Sequence, residues 1–144
     1  MKLIWVFWAV MLAFCSPAAQ AQDVSYRKST IFVDGQPYAY LYKHGSAWAR
    51  EYSFQNLQKK ELIAIKPRTK KLADGYDYIY YEVIFKGLNL KTELQDDDNL
   101  ARHLAYDFGN FRILENDTLN PEAVQKFLEK YPARRFSTRQ FIAR

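Results

Sequence analysis

Cysteine is nearly absent from this chain of 144 residues, because Cys15 is the only one. It lies in an N-terminal segment that we expect to be cleaved off, so the remaining chain has no thiol. That chain can form no disulfide, no zinc site built on thiolates and no covalent intermediate on sulfur. Small exported domains often depend on several disulfides, so we expect this one to be held together by the burial of apolar side chains.

Histidine is also scarce. His44 and His103 are the only two, and neither has a carboxylate or a second histidine at the spacing of a metal site. No serine stands in a glycine-flanked nucleophile motif. The acids at 96–98 offer oxygen ligands for calcium, but they do not alternate as a calcium-binding loop requires. We therefore expect no metal, no cofactor and no catalytic residue, although distant residues can still assemble a site that spacing does not reveal.

A long apolar run is missing as well. The longest, Leu3 to Phe14, has twelve residues, which is short of the roughly 20 that a helix needs to cross a bilayer. Lysine precedes this run, and an Ala-x-Ala cleavage site ends at Ala21. We predict a signal peptide over residues 1–21 and the release of a soluble monomer that is not transmembrane. A lipoprotein anchored through Cys15 is the alternative, but the bulky Phe14 before that cysteine argues against it.

Acidic residues are missing from the C-terminal end. Residues 132–144 contain four arginines and no acid, whereas the whole chain has 21 basic residues against 16 acidic ones. We therefore divide the chain into the signal peptide, one α+β domain over residues 22–131 and a basic tail over residues 132–144. Such a tail can contact an anionic surface, although a solvated and inert end explains the same charges. We expect no nucleic-acid partner, because export separates the chain from nucleic acid. The candidate surface-contact residues are Arg134, Arg135, Arg139 and Arg144.

Aromatic and β-branched residues are abundant and predict strands. Tyr78 to Phe85 is the richest such run and predicts a central strand whose odd-numbered positions are buried. Asp34-Gly35 lies between two strand-like runs, which is the strongest short-range signal of a hairpin. Pro67 is expected to end the strand before it, because proline cannot donate to the ladder. Short turns between consecutive strands predict an antiparallel meander. The predicted strands cover 25–33, 38–42, 48–55, 61–66 and 78–85, with 88–94 as an optional sixth.

The pattern then changes to a helical period. Leu100 to Phe108 carries an apolar stripe at helical spacing, with three aspartates before it and Gly109 after it. We expect the aspartates to cap this helix and the glycine to adopt the left-handed conformation just past its end. A second helix has Asn120 as its cap and Pro121 as its first residue, and it ends before Pro132. The predicted fold is α+β: an antiparallel β-meander of five or six strands followed by two C-terminal helices that pack on one face.

Tyrosine is unusually frequent, with 11 in the chain. Strict alternation places Tyr38, Tyr40 and Tyr42 on one face of their strand. Tyr78 and Tyr80 extend this set if the two strands share a sheet face. Rows of tyrosine rings can stack against sugar rings or other flat ligands, and tyrosine is also favoured at protein interfaces. We therefore name these five as candidate ligand-binding residues. The alternative is that they pack beneath the two helices.

These observations favour a small non-catalytic binding or interaction protein of the cell envelope. Export of a chain without cysteine is typical of bacterial envelope proteins, so we expect a periplasmic or secreted location. The expected partner is an envelope glycan or another protein, contacted by the tyrosine-bearing face, with the basic tail assisting at an anionic surface. Two alternatives stay open: a small carrier whose curled sheet encloses an apolar ligand, and an enzyme of an unrecognised type.

Overall fold

Seven consecutive strands pair in chain order in one antiparallel sheet, and two helices follow them. The structure, a computed structural model, describes residues 22–46 and 49–132. A two-stranded ribbon connects the helices. The α+β class with two C-terminal helices is confirmed, while the strand count of five or six is wrong. The elements are β1 (Val24–Arg27), β2 (Thr30–Val33), β3 (Gln36–Ser46), β4 (Ala49–Gln55), β5 (Glu61–Lys71), β6 (Asp77–Phe85), β7 (Leu90–Gln95), α1 (Leu100–Asn110), β8 (Leu114–Glu115), β9 (Thr118–Leu119) and α2 (Pro121–Lys130).

The additional strand of the sheet results from a turn that lacks the usual sequence signature. The predicted strand 25–33 is two strands, because Lys28 and Ser29 have φ angles of 49° and 65° and reverse the chain between β1 and β2. Neither residue is the glycine or asparagine that usually marks such a turn. The next reversal is confirmed: Asp34 and Gly35, with φ angles of 52° and 78°, connect β2 to β3.

Two strands run further than predicted. β3 continues to Ser46, and β5 continues through Pro67 to Lys71. Pro67 pairs with Tyr81 of β6, whereas the pairing of β5 with β4 ends at Ile65. The proline therefore lies where β5 has no ladder on its other side among the described residues, and its missing N–H breaks no pairing. Because of these extensions, the sheet projects beyond the helices.

The second helix begins as predicted, but the first ends differently. The side-chain oxygen of Asn120 accepts a hydrogen bond from the backbone N–H of Glu122 at 3.0 Å, and Pro121 is the first residue of α2. Gly109 lies inside α1 and has no positive φ, so the left-handed conformation expected there is wrong. A Cβ atom at Gly109 would lie 2.7 Å from Cγ1 of Val24. Glycine is therefore needed for the close approach of α1 to β1.

Both helices pack on the same face of the sheet through four phenylalanines. Phe54 of β4 contacts Phe108 of α1 with 4.8 Å between ring centroids, and Phe108 contacts Phe127 of α2 at 5.3 Å. Phe127 in turn contacts Phe85 of β6 at 5.7 Å. All four rings are fully buried. Because both helices lie on this face, the opposite face of the sheet has no described helix over it.

A buried carboxylate ties the two helices together. Asp107 of α1 accepts hydrogen bonds from Lys130 Nζ at 2.7 Å and from the hydroxyl of Tyr131. Thr92 of β7 donates to the backbone carbonyl of Tyr131 at 2.6 Å, which fixes the end of α2 to the sheet. The hydrogen bond to Asp107 raises the pKa of Lys130, so this cation stays charged beside the buried acid. A buried acid is tolerated when it has partners of this kind.

The predicted signal peptide lies outside the described residues, as do the four tail arginines and residues 47 and 48 between β3 and β4. The cleavage site and the tail boundary therefore stay predictions. Neither helix in the described part of the chain has the length and apolarity needed to cross a membrane.

Replacing Gly109 by alanine is expected to lower the free energy of unfolding by about 1 kcal/mol, although the same change at an ordinary helix position raises it by a similar amount. The reason is that the new Cβ would lie 2.7 Å and 3.0 Å from the two γ-carbons of Val24. Urea denaturation of the Gly109→Ala variant measures the change.

The control is the same substitution in a Val24→Ala background, where the clashing atoms are missing. There, Gly109→Ala should be neutral or stabilising. An equal loss in both backgrounds would show that contact with Val24 is not the cause.

Candidate functional site

The sheet face opposite the helices, the open face, carries rings and polar groups side by side. Its register places Tyr42, Ser53, Ala64 and Ile84 in one row across β3 to β6. Ser53 and Ala64 are only 3% and 5% exposed, although no described helix covers them. Their longer neighbours on the same face must therefore shield them. The open face is thus a packed surface and not a set of separately solvated side chains.

An aromatic row follows β3 on this face. The rings of Tyr40 and Tyr42 are stacked, with centroids 5.6 Å apart and planes at 26°. The ring of His44 continues the row, 6.3 Å from that of Tyr42. The two tyrosines are half-buried and His44 is exposed. We call Tyr40, Tyr42 and His44 the aromatic row.

Tyr38 does not belong to the aromatic row. The register of β2 on β3 shifts between Ile31 and Phe32, and Tyr38 packs against the core instead. Its hydroxyl donates to the carbonyl of Leu114 at 3.2 Å and accepts from the backbone N–H of Leu114 at 2.6 Å. Burial raises the pKa of Tyr38 to about 12. The expected alternation along β3 therefore fails at this bulge.

A polar cluster adjoins the aromatic row. Ser53 and Gln55 on β4 lie directly opposite the two stacked tyrosines. Ser53 Oγ donates to Glu61 Oε2 at 2.5 Å and accepts from Gln55 Nε2 at 3.1 Å. Lys86 forms an ion pair with the same carboxylate. We call Ser53, Gln55, Glu61 and Lys86 the polar cluster.

Glu61 is the charged centre of the polar cluster. Burial opposes its ionisation, but hydrogen bonds from Lys86 and Ser53, together with the charges of Lys86 and Lys66, outweigh burial and hold its pKa below the usual value of 4.5. The carboxylate is therefore ionised at neutral pH, and its hydrogen bonds orient the hydroxyl of Ser53. The cluster is a preformed set of donors and acceptors beside two rings.

Tyr78 and Tyr80 lie on β6 and share the open face with the aromatic row. Two strands, β4 and β5, lie between β3 and β6. At an interstrand spacing of about 4.8 Å, β6 is about 14 Å from β3. Of the five tyrosines predicted to form a site, Tyr40 and Tyr42 are thus in ring contact. Tyr78 and Tyr80 lie further along the same face.

A groove of about 660 Å³ lies between β7, the start of α1 and the end of α2. Carboxylates dominate its polar lining, so its potential attracts cations. Such a lining suits an apolar ligand poorly, because the charged groups would have to be desolvated. The charged and titratable lining residues are Glu93, Asp96, Asp97, Glu129, His103, Lys130 and Tyr131.

One wall of the groove holds an oriented imidazole. Asp97 Oδ2 lies 2.5 Å from His103 Nδ1, and Asp97 Oδ1 accepts from the backbone N–H of Asn99 at 2.9 Å. The bond from Asn99, with the pairing to His103, lowers the pKa of Asp97. Asp97 therefore orders the turn before α1, but the expectation that the acids at 96–98 cap this helix is wrong. Asn99 is the cap residue but makes no side-chain capping bond.

Sequence reasoning overlooked several of these groups. His44 lies outside the predicted strand 38–42, although β3 continues through it to Ser46. Ser53 and Glu61 are brought together by the register of β4 on β5, and the pair Asp97 and His103 has no motif spacing. Within residues 22–46 and 49–132, no three His, Cys, Asp or Glu side chains come together as a possible metal site.

The free energy of unfolding of the Glu61→Gln variant is expected to be about 1 kcal/mol lower than that of the native protein at pH 7. The loss is modest because a third of the side chain, 33%, is exposed. A lowered native pKa means that the contribution is fully present above pH 4.5 and is lost as the pH falls through the native pKa. Denaturation at a series of pH values should show the difference between the two proteins shrinking on acidification.

Glu115→Gln is the matched control, because Glu115 is exposed and forms no salt bridge with a described residue. Its effect should be near zero at every pH. The assignment to Glu61 would be overturned if both variants lost the same free energy, or if the loss at Glu61 did not change with pH.

Known proteins supply no function for this chain. No family model matches it, no curated protein resembles it, and no solved structure matches its fold. The functional argument therefore rests on the open face and the groove themselves.

Proposed function

We propose that this protein is an exported, non-catalytic binding protein of the bacterial cell envelope that recognises a glycan through its open face. The single observation that carries the proposal is the stacked pair Tyr40 and Tyr42, which lies directly opposite the hydrogen-bonded Ser53 and Gln55. Rings and fixed polar groups therefore meet on a sheet face that no described helix covers.

A sugar ring has two kinds of surface, and the open face offers a match for each. Its C–H faces are apolar and can stack on an aromatic ring, while its hydroxyls need donors and acceptors. Tyr40 and Tyr42 provide the ring surface, and the polar cluster provides amide, hydroxyl, carboxylate and ammonium groups. Because the cluster is already held by internal hydrogen bonds, little side-chain entropy is lost when a ligand binds.

The location in the envelope follows from the N-terminal sequence. Lys2, the apolar run to Phe14 and the Ala-x-Ala site before Gln22 have the features of a signal peptide. Glycans are abundant in the compartment to which such a peptide directs a chain. The candidate partner and the candidate location therefore agree.

The carrier alternative has less support. A carrier needs the sheet to close around an enclosed apolar cavity. Among the described residues, the edge strand β1 pairs only with β2 and the edge strand β7 pairs only with β6, so these two edges do not meet to close the sheet. The groove beside β7 is open, and four carboxylates are among its lining residues.

The test is co-sedimentation of the mature chain, residues 22–144, with purified insoluble peptidoglycan sacculi. Replacing both Tyr40 and Tyr42 by alanine should weaken retention about tenfold, because each lost ring contact contributes about 0.5–1.5 kcal/mol. Tyr42→Phe keeps the ring and should keep most of the retention. Neither tyrosine belongs to the core cluster, so both variants should remain folded by circular dichroism.

Tyr106→Ala is the matched control, because this tyrosine is 37% exposed and lies on α1, away from the open face. It should bind as the native chain does. The proposal fails if the native chain is not retained at near-physiological salt, or if the Tyr106 variant loses as much retention as the double variant.

A further inference from the structure

The sheet has an extension that no described helix covers on either face. It consists of two hairpin arms with no ladder between them among the described residues. One arm is residues 43–46 of β3 with 49–51 of β4, and the other is residues 66–71 of β5 with 77–80 of β6 and the turn 72–76 at its tip. We call this part the wing. Residues 43–46 and 68–71 are all exposed, in contrast to the buried middle of the same strands.

The wing exposes apolar and aromatic groups that the rest of the fold would bury. Tyr76 at the tip is 74% exposed. Ile79 has the same orientation as the buried Tyr81 and Val83 of β6, yet it is 37% exposed. An extended sheet segment with two solvated faces gains little stability from its own burial. A surface of this kind is typical of a binding region.

Charge is concentrated in the wing. Residues 22–132 contain 16 basic and 16 acidic residues, so the described body with residues 47 and 48 is neutral. The segments 43–51 and 66–80 contain six basic and three acidic residues, a net charge of +3, which leaves −3 for the rest. The basic residues of the wing are Lys43, Arg50, Lys66, Arg68, Lys70 and Lys71.

At least three of the six basic residues form no ion pair with a described residue. Arg68 lies 3.3 Å from Glu82, and that carboxylate also lies 3.9 Å from Lys91. Lys43, Lys66 and Lys71 form no salt bridge with any residue that the structure describes. Of these three, only Lys66 lies on the open face, where Arg68 and Lys70 join it. These three cations give the open face of the wing a positive potential.

On the open face of the wing, cations lie directly opposite tyrosines. Arg68 of β5 pairs with Tyr80 of β6, and Lys70 pairs with Tyr78. Lys66 lies two residues before Arg68 on the same face, directly opposite Glu82 of β6. Cross-strand neighbours of this kind have Cβ atoms about 5 Å apart. Each pair can therefore contact one ligand group with a ring and a cation together.

We infer that the wing extends the glycan site and makes it selective for an anionic glycan, one whose repeating units carry carboxylate groups on the sugar rings or on their substituents. In this arrangement Tyr40 and Tyr42 hold one part of the polymer, Tyr78 and Tyr80 hold another, and the cations Lys66, Arg68 and Lys70 bind its anionic groups. The inference rests on the proposed function, because it uses the same open face.

The test compares native sacculi with sacculi whose carboxylates have been amidated, so that the rings are unchanged and the charge is removed. At about 0.15 M salt, where the Debye length is about 8 Å, direct contacts still count while distant charges are screened. The mature chain should be retained about tenfold more strongly by the native material. The triple variant Lys66→Gln, Arg68→Gln, Lys70→Gln should lose this preference and bind both materials as the native chain binds the amidated one.

The control is a second triple variant, Lys60→Gln, Arg102→Gln, Lys126→Gln. It also removes the charges of two lysines and one arginine, but at exposed positions outside the wing. It should keep the preference for native sacculi. An equal loss in the two triple variants would overturn the inference in favour of net charge. Equal binding of the native chain to native and amidated sacculi would also overturn the inference, but it would leave the proposed function intact.

Retention of the native chain by neither material would overturn the proposed function and this inference with it. A further measurement is the binding of the native chain and the wing variant to vesicles of neutral and of anionic phospholipid. Wing-dependent binding to the anionic vesicles, without a preference for native sacculi, would overturn the inference and assign the wing to a membrane surface. All six substituted residues are exposed, so each variant should fold, and a thermal melt of each variant checks this.

Discussion

Four phenylalanine rings in mutual contact decide how the protein is layered. Phe54 and Phe85 point from the sheet to the same side, and Phe108 and Phe127 meet them from the two helices. Each buried ring contributes about 2–3 kcal/mol of apolar burial, so this contact holds both helices to one face. The sheet then has a dry face and a solvated one, as antiparallel sheets commonly do.

The asymmetry that follows is both steric and electrostatic. The helices cover the middle of the sheet on one side, which leaves the open face and the wing available to ligands. The acids of the groove lie at the ends of the helices, while the cations of the wing lie on the extended strands. Residues 22–132 carry no net charge in total, but they include a positive region at the wing and a negative region at the groove. On the proposed function, this separation would orient an anionic ligand along the wing.

Local signals in the sequence were sufficient for much of the fold. The turn at Asp34-Gly35 and the cap at Asn120 were predicted because each depends on a few adjacent residues. Two features were missed because distant residues decide them, and a third because its local residues give no signal. Pro67 continues a strand because the neighbouring ladder has already ended, and Gly109 is required by Val24 of β1. The turn at Lys28 lacks the usual turn residues.

The sequence by itself determined the α+β class, the absence of thiol chemistry from the chain after Cys15, and the richness in tyrosine. Only the tertiary structure decided which tyrosines act together. It removed Tyr38 from the row, added His44 and placed the polar cluster beside them. The physical reason is that strand register is a non-local property, and a shift of one residue turns a side chain to the opposite face of the sheet.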